Sequence, residues 1–236
     1  MSISENIAAI RANMNAAALS CGRDPKSILL CAATRMNDAS AVREAIAGGV
    51  DLCGENRVQE PTRRLSENAY EGARVHFIGH LQTNKVRQVV GKVVLIQSVD
   101  RQRLLEAVEA EAARQNIVRD ILLEVNIGQE ESKSGFTAAE IPGIVENFPN
   151  LTHLRLRGLM AIPPAAENPG DNDKFFQEMF NLSVDITAKK SDNVCIDTLS
   201  MGMSDDYADA IRHGSTMVRV GTAIFGARSY AKPHQE

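Results

Sequence analysis

No segment of this sequence approaches eighteen consecutive apolar residues, and its opening, Met1-Ser2-Ile3-Ser4-Glu5-Asn6, lacks the basic stretch and apolar run of a secretory leader. Neither a membrane-spanning helix nor an export signal is expected. Charge of one sign is missing as a pattern too. The 26 basic and 30 acidic residues leave a formal charge of −4, and neither sign forms a long run. That excludes the electrostatic footprint of a nucleic-acid or anionic-membrane binder and favours a small-molecule partner. The four cysteines, Cys21, Cys31, Cys53 and Cys195, show no CxxC spacing and sit mostly in apolar runs such as Leu29-Leu30-Cys31-Ala32. They read as buried free thiols in a reducing compartment, the cytosol. No Gly-x-Gly-x-x-Gly follows the first apolar run, which argues against a dinucleotide-binding sheet.

What the chain does have is a rhythm. After an amphipathic helix at about residues 3–20, short apolar, β-branched runs alternate with longer segments of helical period. Strands are expected at 28–34, 50–53, 75–78, 93–97, 120–126, 153–159, 194–199 and 217–220. Helices are expected at 39–47, 57–65, 84–90, 101–115, 138–147, 173–189 and 205–213, with a short closing helix from Ala223. Eight strands with intervening helices favour an α/β fold, a single (β/α)8 TIM barrel with an extra N-terminal helix, because closure leaves no unpaired sheet edge. An open doubly wound sheet is the alternative. The reading divides the chain into an N-terminal helix within residues 1–25, a barrel over 26–230 and a tail at 231–236. The Pro/Gly-rich stretch 163–170 is too short to separate domains.

In such a barrel the chemistry sits where strands end on the C-terminal face. Strand seven ends in Ser200-Met201-Gly202-Met203-Ser204-Asp205-Asp206, and strand eight in Arg219-Val220-Gly221-Thr222. Two adjacent small-residue turns suit a phosphate, since free backbone N–H groups and hydroxyls converge there. Ser204 or Asp205 capping the next helix is the bland reading of the first turn. Strand alternation turns Arg219 inward, either toward a ligand or into a buried ion pair. Asn56, after strand two, caps a helix or meets a ligand; His80 and Gln82 follow strand three, and Lys133 lies in the loop after strand five.

Together, Gly54-Glu55-Asn56, the run from His76 to Lys85, Ser132-Lys133-Ser134-Gly135, the run from Arg157 to Pro163, the run from Asp197 to Asp206 and the run from Gly214 to Gly226 closely resemble the YggS/PROSC family of pyridoxal 5′-phosphate homeostasis proteins, across about residues 26 to 230. The resemblance implies an alanine-racemase-like barrel with pyridoxal phosphate at its mouth and no well-established turnover. It implies that Ser200, Gly221 and Thr222, with Met203 and Ser204, hold the phosphate, that Arg219 faces the pyridine nitrogen and that Asn56 lies by the ring. Apo enzymes that use the cofactor are implied recipients, and a monomer is expected. One departure stands out. The Schiff-base lysine of the family falls on Arg35, in Ala33-Thr34-Arg35-Met36-Asn37. A guanidinium stays protonated and does not form the imine that a lysine amine forms, so non-covalent binding is expected. Lys133 is the nearest substitute nucleophile. The competing functions are an amino-acid racemase of the same barrel, which lacks the lysine here and is expected to lack the added β domain that carries a tyrosine base, and a sugar-phosphate isomerase or aldolase.

Overall fold

A computed structural model describes residues 1–188 and 191–226. The tail expected at 231–236 and the end of the sixth expected helix lie outside the described residues. Eight parallel strands close in sequential order: β1 (Leu29–Ala33), β2 (Leu52–Glu55), β3 (Arg74–Phe77), β4 (Leu95–Val99), β5 (Arg119–Val125), β6 (Leu154–Ala161), β7 (Val194–Ser200) and β8 (Met217–Val220). Each of the eight overlaps a run read as a strand.

Helices α1 (Ile3–Ser20), α2 (Ala39–Ala47), α3 (Gln59–Ser66), α4 (Gln102–Arg114), α5 (Ile141–Asn147), α6 (Asp173–Thr187), α7 (Tyr207–Arg212) and α8 (Thr222–Phe225) wrap the barrel. The element after β3 departs from expectation: it is a 3-10 helix, Thr83–Gln88. Val86, Val89 and Val90 are β-branched and disfavour an α-helix, while the three-residue spacing of buried Val86 and Val89 stacks both on one side of a three-residue turn.

Helix α1 begins with a capping box. The Ser2 hydroxyl accepts from the Glu5 N–H at 3.2 Å and the Glu5 carboxylate accepts from the Ser2 N–H at 2.8 Å. Its buried stripe, Ile7, Ile10, Met14, Ala17 and Ala18, packs on the outward residues of the last and first strands, Leu30, Ala32, Val218 and Val220. The four-residue α8 is too short to cover that face. Asn6 Nδ2 donates to the Ile224 carbonyl at 2.9 Å, which ties α1 to α8.

Inside, Cys31, Leu52 and Met217 form one apolar patch and Leu95, Leu122 and Met160 another. The larger core lies between strands and helices. Cys31 and Cys53 are buried, and burial pushes both thiols up, Cys53 to about 12. Cys21 and Cys195 are exposed, which corrects the expectation that the cysteines are buried as a set. Cys21 caps the end of α1, and Cys195 sits on the outward, solvated side of β7.

Candidate functional site

At the C-terminal ends of the strands lies a cavity of about 480 Å³. Seven of the eight positions singled out from the sequence line it: Arg35, Asn56, Met203, Ser204, Arg219, Gly221 and Thr222. Ile78 and Ile162 add apolar wall from β3 and β6.

The β7 turn is shaped by Asp206 rather than by the expected caps Ser204 or Asp205. Asp206 Oδ1 accepts from the Met203 N–H at 2.7 Å, and Oδ2 accepts from Asn172 Nδ2 at 2.9 Å. Asp206 is buried and is itself the residue preceding α7, which starts with no side-chain cap bond, so neither Ser204 nor Asp205 caps it. The backbone N–H of Met203 is thereby occupied, so this residue offers the cavity its half-exposed side chain. Gly202 makes the turn possible: its φ of +94° is left-handed, and a Cβ there would lie 2.6 Å from that of Ala210.

Ser204 reaches across to β8. Its hydroxyl accepts from the Ala223 N–H at 3.3 Å and from Thr222 Oγ1 at 3.0 Å. Two hydroxyls and a weakly bonded amide therefore converge on one small patch of the wall, a set that exchanges readily for phosphate oxygens.

Ser200 is placed differently from its neighbours. It is fully buried and lies beneath the cavity rather than on its wall. Its hydroxyl donates to Gln97 Oε1 at 2.7 Å and accepts from Arg219 Nη1 at 2.6 Å. The other arm of Arg219, Nη2, donates to the Ala161 carbonyl at 2.9 Å. Arg219 is thus held rigid on the floor, pointing inward as strand alternation requires. Burial lowers its pKa, while Cys31, Glu124 and Asp206 act in the opposite direction. Glu124 on β5, in turn, is pushed up to about 7 by burial and by Asp100, against the pull of Arg219.

Beneath this layer Gln97 Nε2 donates to His76 Nδ1 at 2.9 Å, which assigns the ring proton of neutral His76 to Nε2. Burial, with Arg74 adding to it, depresses His76 to about 3. An unfolded histidine takes up its proton near pH 6.5, so from there down to about pH 3 the unfolded chain binds more protons and folding loses up to about 5 kcal/mol through this ring. Glu124 acts oppositely between about pH 7 and 4.5, where the native state alone is protonated and gains stability on acidification. His76→Gln is expected to flatten the acid limb: between pH 7 and 4, urea-unfolding free energies should fall less than in the parent. Parallel profiles would show that His76 does not carry the acid sensitivity.

The β1 loop that presents Arg35 is clamped from α3, by residues the sequence analysis passed over. Arg64 is fully buried and pairs with the fully buried Glu55 at the end of β2. Its Nη2 donates to the carbonyls of Thr34 at 2.8 Å and Asn37 at 2.7 Å. Glu55 Oε1 also accepts from Thr34 Oγ1 at 2.5 Å and Tyr70 Oη at 2.8 Å. Burial pushes the Glu55 carboxyl up against the attraction of Arg64. Burial also opposes charge on Arg64, but Glu55 outweighs it and holds Arg64 above its ordinary value. The Met36 N–H, at a residue with φ +63°, donates to Glu60 at 3.2 Å. Asn56 is therefore not the cap of α3, whose preceding residue is Val58 with no side-chain cap bond. Its side-chain amide faces the cavity without a hydrogen bond to any described residue.

Lys133, His80 and Gln82 do not line the cavity. Lys133 Nζ is engaged by Glu130 and by the Pro163 carbonyl at 3.0 Å. His80 is exposed and 3.2 Å from Asp100, and Gln82 is exposed at the start of the 3-10 helix. Among the described lining residues there is no lysine, and among the described residues no cluster of His, Cys, Asp and Glu is arranged to hold a metal ion. No described helix is long and apolar enough to cross a membrane.

The family model of the alanine racemase N-terminal domain matches residues 6–229. The pyridoxal phosphate homeostasis protein of Escherichia coli strain K12 is 42% identical over 234 residues, covering 98% of both chains. That of Aquifex aeolicus strain VF5 is 37% identical over 230 residues, covering 98% of this chain and 100% of the relative. The solved structure of PipY from Synechococcus elongatus PCC7942 with pyridoxal phosphate bound superposes with a TM-score of 0.82 at 29% identity, covering 95% of this chain and 100% of that one.

Proposed function

This chain belongs to the family of pyridoxal phosphate homeostasis proteins built on the alanine racemase N-terminal domain, and from that premise we propose that its barrel binds pyridoxal 5′-phosphate reversibly and buffers or delivers it in the cytosol. The observation that carries the reading is the cavity of about 480 Å³, a volume suited to a small cofactor, with a phosphate-sized patch of donors at one side and a rigid arginine on its floor. The residues fit the cofactor in chemistry as well. Arg35 Nε is buried without a partner and the Asn56 amide is unused, so polar capacity is left over for a ligand.

In this reading Ser204, Thr222 and the backbone from Gly221 to Ala223 hold the phosphate, with Met203 packing beside it. Ser200 acts one layer down: it orients Arg219, whose guanidinium meets the ring nitrogen. Asn56 lies by the ring and Arg35 faces the ring's 4-substituent. When bound, the cofactor supplies an electrophilic aldehyde and a ring nitrogen whose protonation sets its strength as an electron sink. A guanidinium at that nitrogen disfavours its protonation, which suits carriage better than carbanion chemistry. Arg35 keeps its charge and forms no covalent bond to the aldehyde, so the complex is non-covalent. The role is non-catalytic, the chain acts as a monomer, and apo enzymes that need the cofactor are its recipients.

Equilibrium dialysis against pyridoxal 5′-phosphate tests the reading. Binding is expected for the parent protein, and Thr222→Ala should weaken it by roughly ten- to a hundredfold, the loss of one hydrogen bond to a charged group. A sugar-phosphate isomerase would show no affinity for the pyridine phosphate. A racemase would need a lysine at the cavity wall.

A further inference from the structure

Among the described residues two guanidinium groups line the cavity, Arg219 and Arg35, and they are held differently. Arg219 spends Nη1 on Ser200 and Nη2 on the Ala161 carbonyl. Arg35 is different. It is half-buried on the cavity wall, its Nε is buried with no hydrogen-bond partner, and no carboxylate among the described residues pairs with it. Around it the loop is fully committed: Arg64 fixes the carbonyls of Thr34 and Asn37, the Asn37 side chain donates to the carbonyls of Thr34 and Arg35, and Glu60 receives the Met36 N–H. The guanidinium is thus presented by a rigid loop without an internal counter-charge. Asp205, the acid among the described lining residues, is exposed on the β7 turn.

Leaving a guanidinium partly desolvated and unpaired is costly unless an anion from outside completes it. Its planar fork matches a carboxylate in two parallel hydrogen bonds, a geometry that an aldehyde or an ammonium group does not satisfy. We propose that the pocket selects pyridine phosphates bearing a carboxylate at the ring's 4-position, with Arg35 as the residue that determines this specificity. The proposal rests on the reading of the cavity as a pyridoxal phosphate site and names the class of ligand that site prefers.

Three ligands with the same ring and phosphate but different 4-substituents isolate the effect: pyridoxine 5′-phosphate with a neutral hydroxymethyl, pyridoxamine 5′-phosphate with an ammonium, and 4-pyridoxic acid 5′-phosphate with a carboxylate. Dissociation constants from isothermal titration calorimetry are expected to rank carboxylate tightest, hydroxymethyl next and ammonium weakest, with the carboxylate favoured over the hydroxymethyl by about tenfold or more. Arg35→Gln should bring the carboxylate and hydroxymethyl ligands within about threefold of each other. Raising salt should narrow the parent's preference less than a surface effect would, because the pair is partly desolvated. Equal affinities in the parent, or an unchanged ranking in Arg35→Gln, would overturn the specificity while leaving the cofactor site intact. No binding of any of the three, or of pyridoxal 5′-phosphate, would overturn both.

Discussion

Arg35→Lys is expected to turn reversible occupancy into covalent capture. Incubated with pyridoxal 5′-phosphate and reduced with borohydride, the variant should carry a phosphopyridoxyl group mapped by peptide mass spectrometry to position 35, approaching roughly one per chain, while the parent carries none there. The argument is one of local chemistry at a fixed place. The β1 loop is held by Arg64 and Glu60 through the Thr34, Met36 and Asn37 backbone and by Glu55 through the Thr34 hydroxyl, none of which depends on the side chain at 35. A lysine there inherits the same exit vector toward the cavity. Partial burial disfavours an ammonium, which leaves a larger fraction as the nucleophilic amine. A label on Lys133, or no label, would show that the loop does not aim position 35 at the 4-substituent.

Removing the clamp itself should have the largest effect on stability. Arg64→Met leaves Glu55 fully buried without its cation, leaves the Asn37 carbonyl without its Arg64 donor and takes one of the donors from the Thr34 carbonyl. Breaking a buried pair from one side costs about 3–5 kcal/mol, and for a chain of this size that lowers the melting temperature by roughly 6–20 °C. The variant should also acquire a pH dependence. Without Arg64 the Glu55 carboxyl moves further above its unfolded value, so the native state binds a proton that the unfolded chain has released, and stability falls as pH rises from about 4.5. Calorimetric melts of parent and variant should therefore separate further at pH 8 than at pH 5. A second change, Glu55→Gln in the Arg64→Met background, should bring the two pH curves back together. A gap that is small and independent of pH would mean that the pair is not the anchor of the loop.

The short apolar runs and the helical segments between them carry the architecture because each strand faces apolar neighbours on both sides and reads as a short, nearly unbroken run. The turn at Gly202 is legible for a related reason: its left-handed φ and the close approach of Ala210 demand glycine, and glycine is visible in a sequence. What escaped notice is informative. Arg64 follows Arg63 in a polar helix, and nothing in Arg-Arg-Leu-Ser says that the second arginine is buried while Leu65 is exposed; helix phase set by Pro61 decides it. Glu55 ends an apolar strand, and its place in Gly54-Glu55-Asn56 does not mark it as the partner such a buried cation needs. Ser200 belongs to a motif that resembles a phosphate loop, yet one residue of strand phase separates a hydroxyl on the wall from one below the floor. Lys133 is near the mouth in chain order, but its distance from the ligand is set by Glu130 and Pro163, partners that no spacing rule supplies.

The seam between β8 and β1, closed on its outer side by α1, has a bearing on how the chain is made. β1 pairs Leu29 with Met217 and Cys31 with Arg219, so its second edge is filled only when β8, seven strands further along the chain, arrives. Until then a nascent chain holds an open edge with α1 seated over half of its finished surface, and the donors contributed by Ser204, Arg219 and Thr222 are not yet assembled. The donors of the cavity wall thus come together only once β8 has been made, and a translation product that stops before it exposes a sticky strand rather than a half-built pocket.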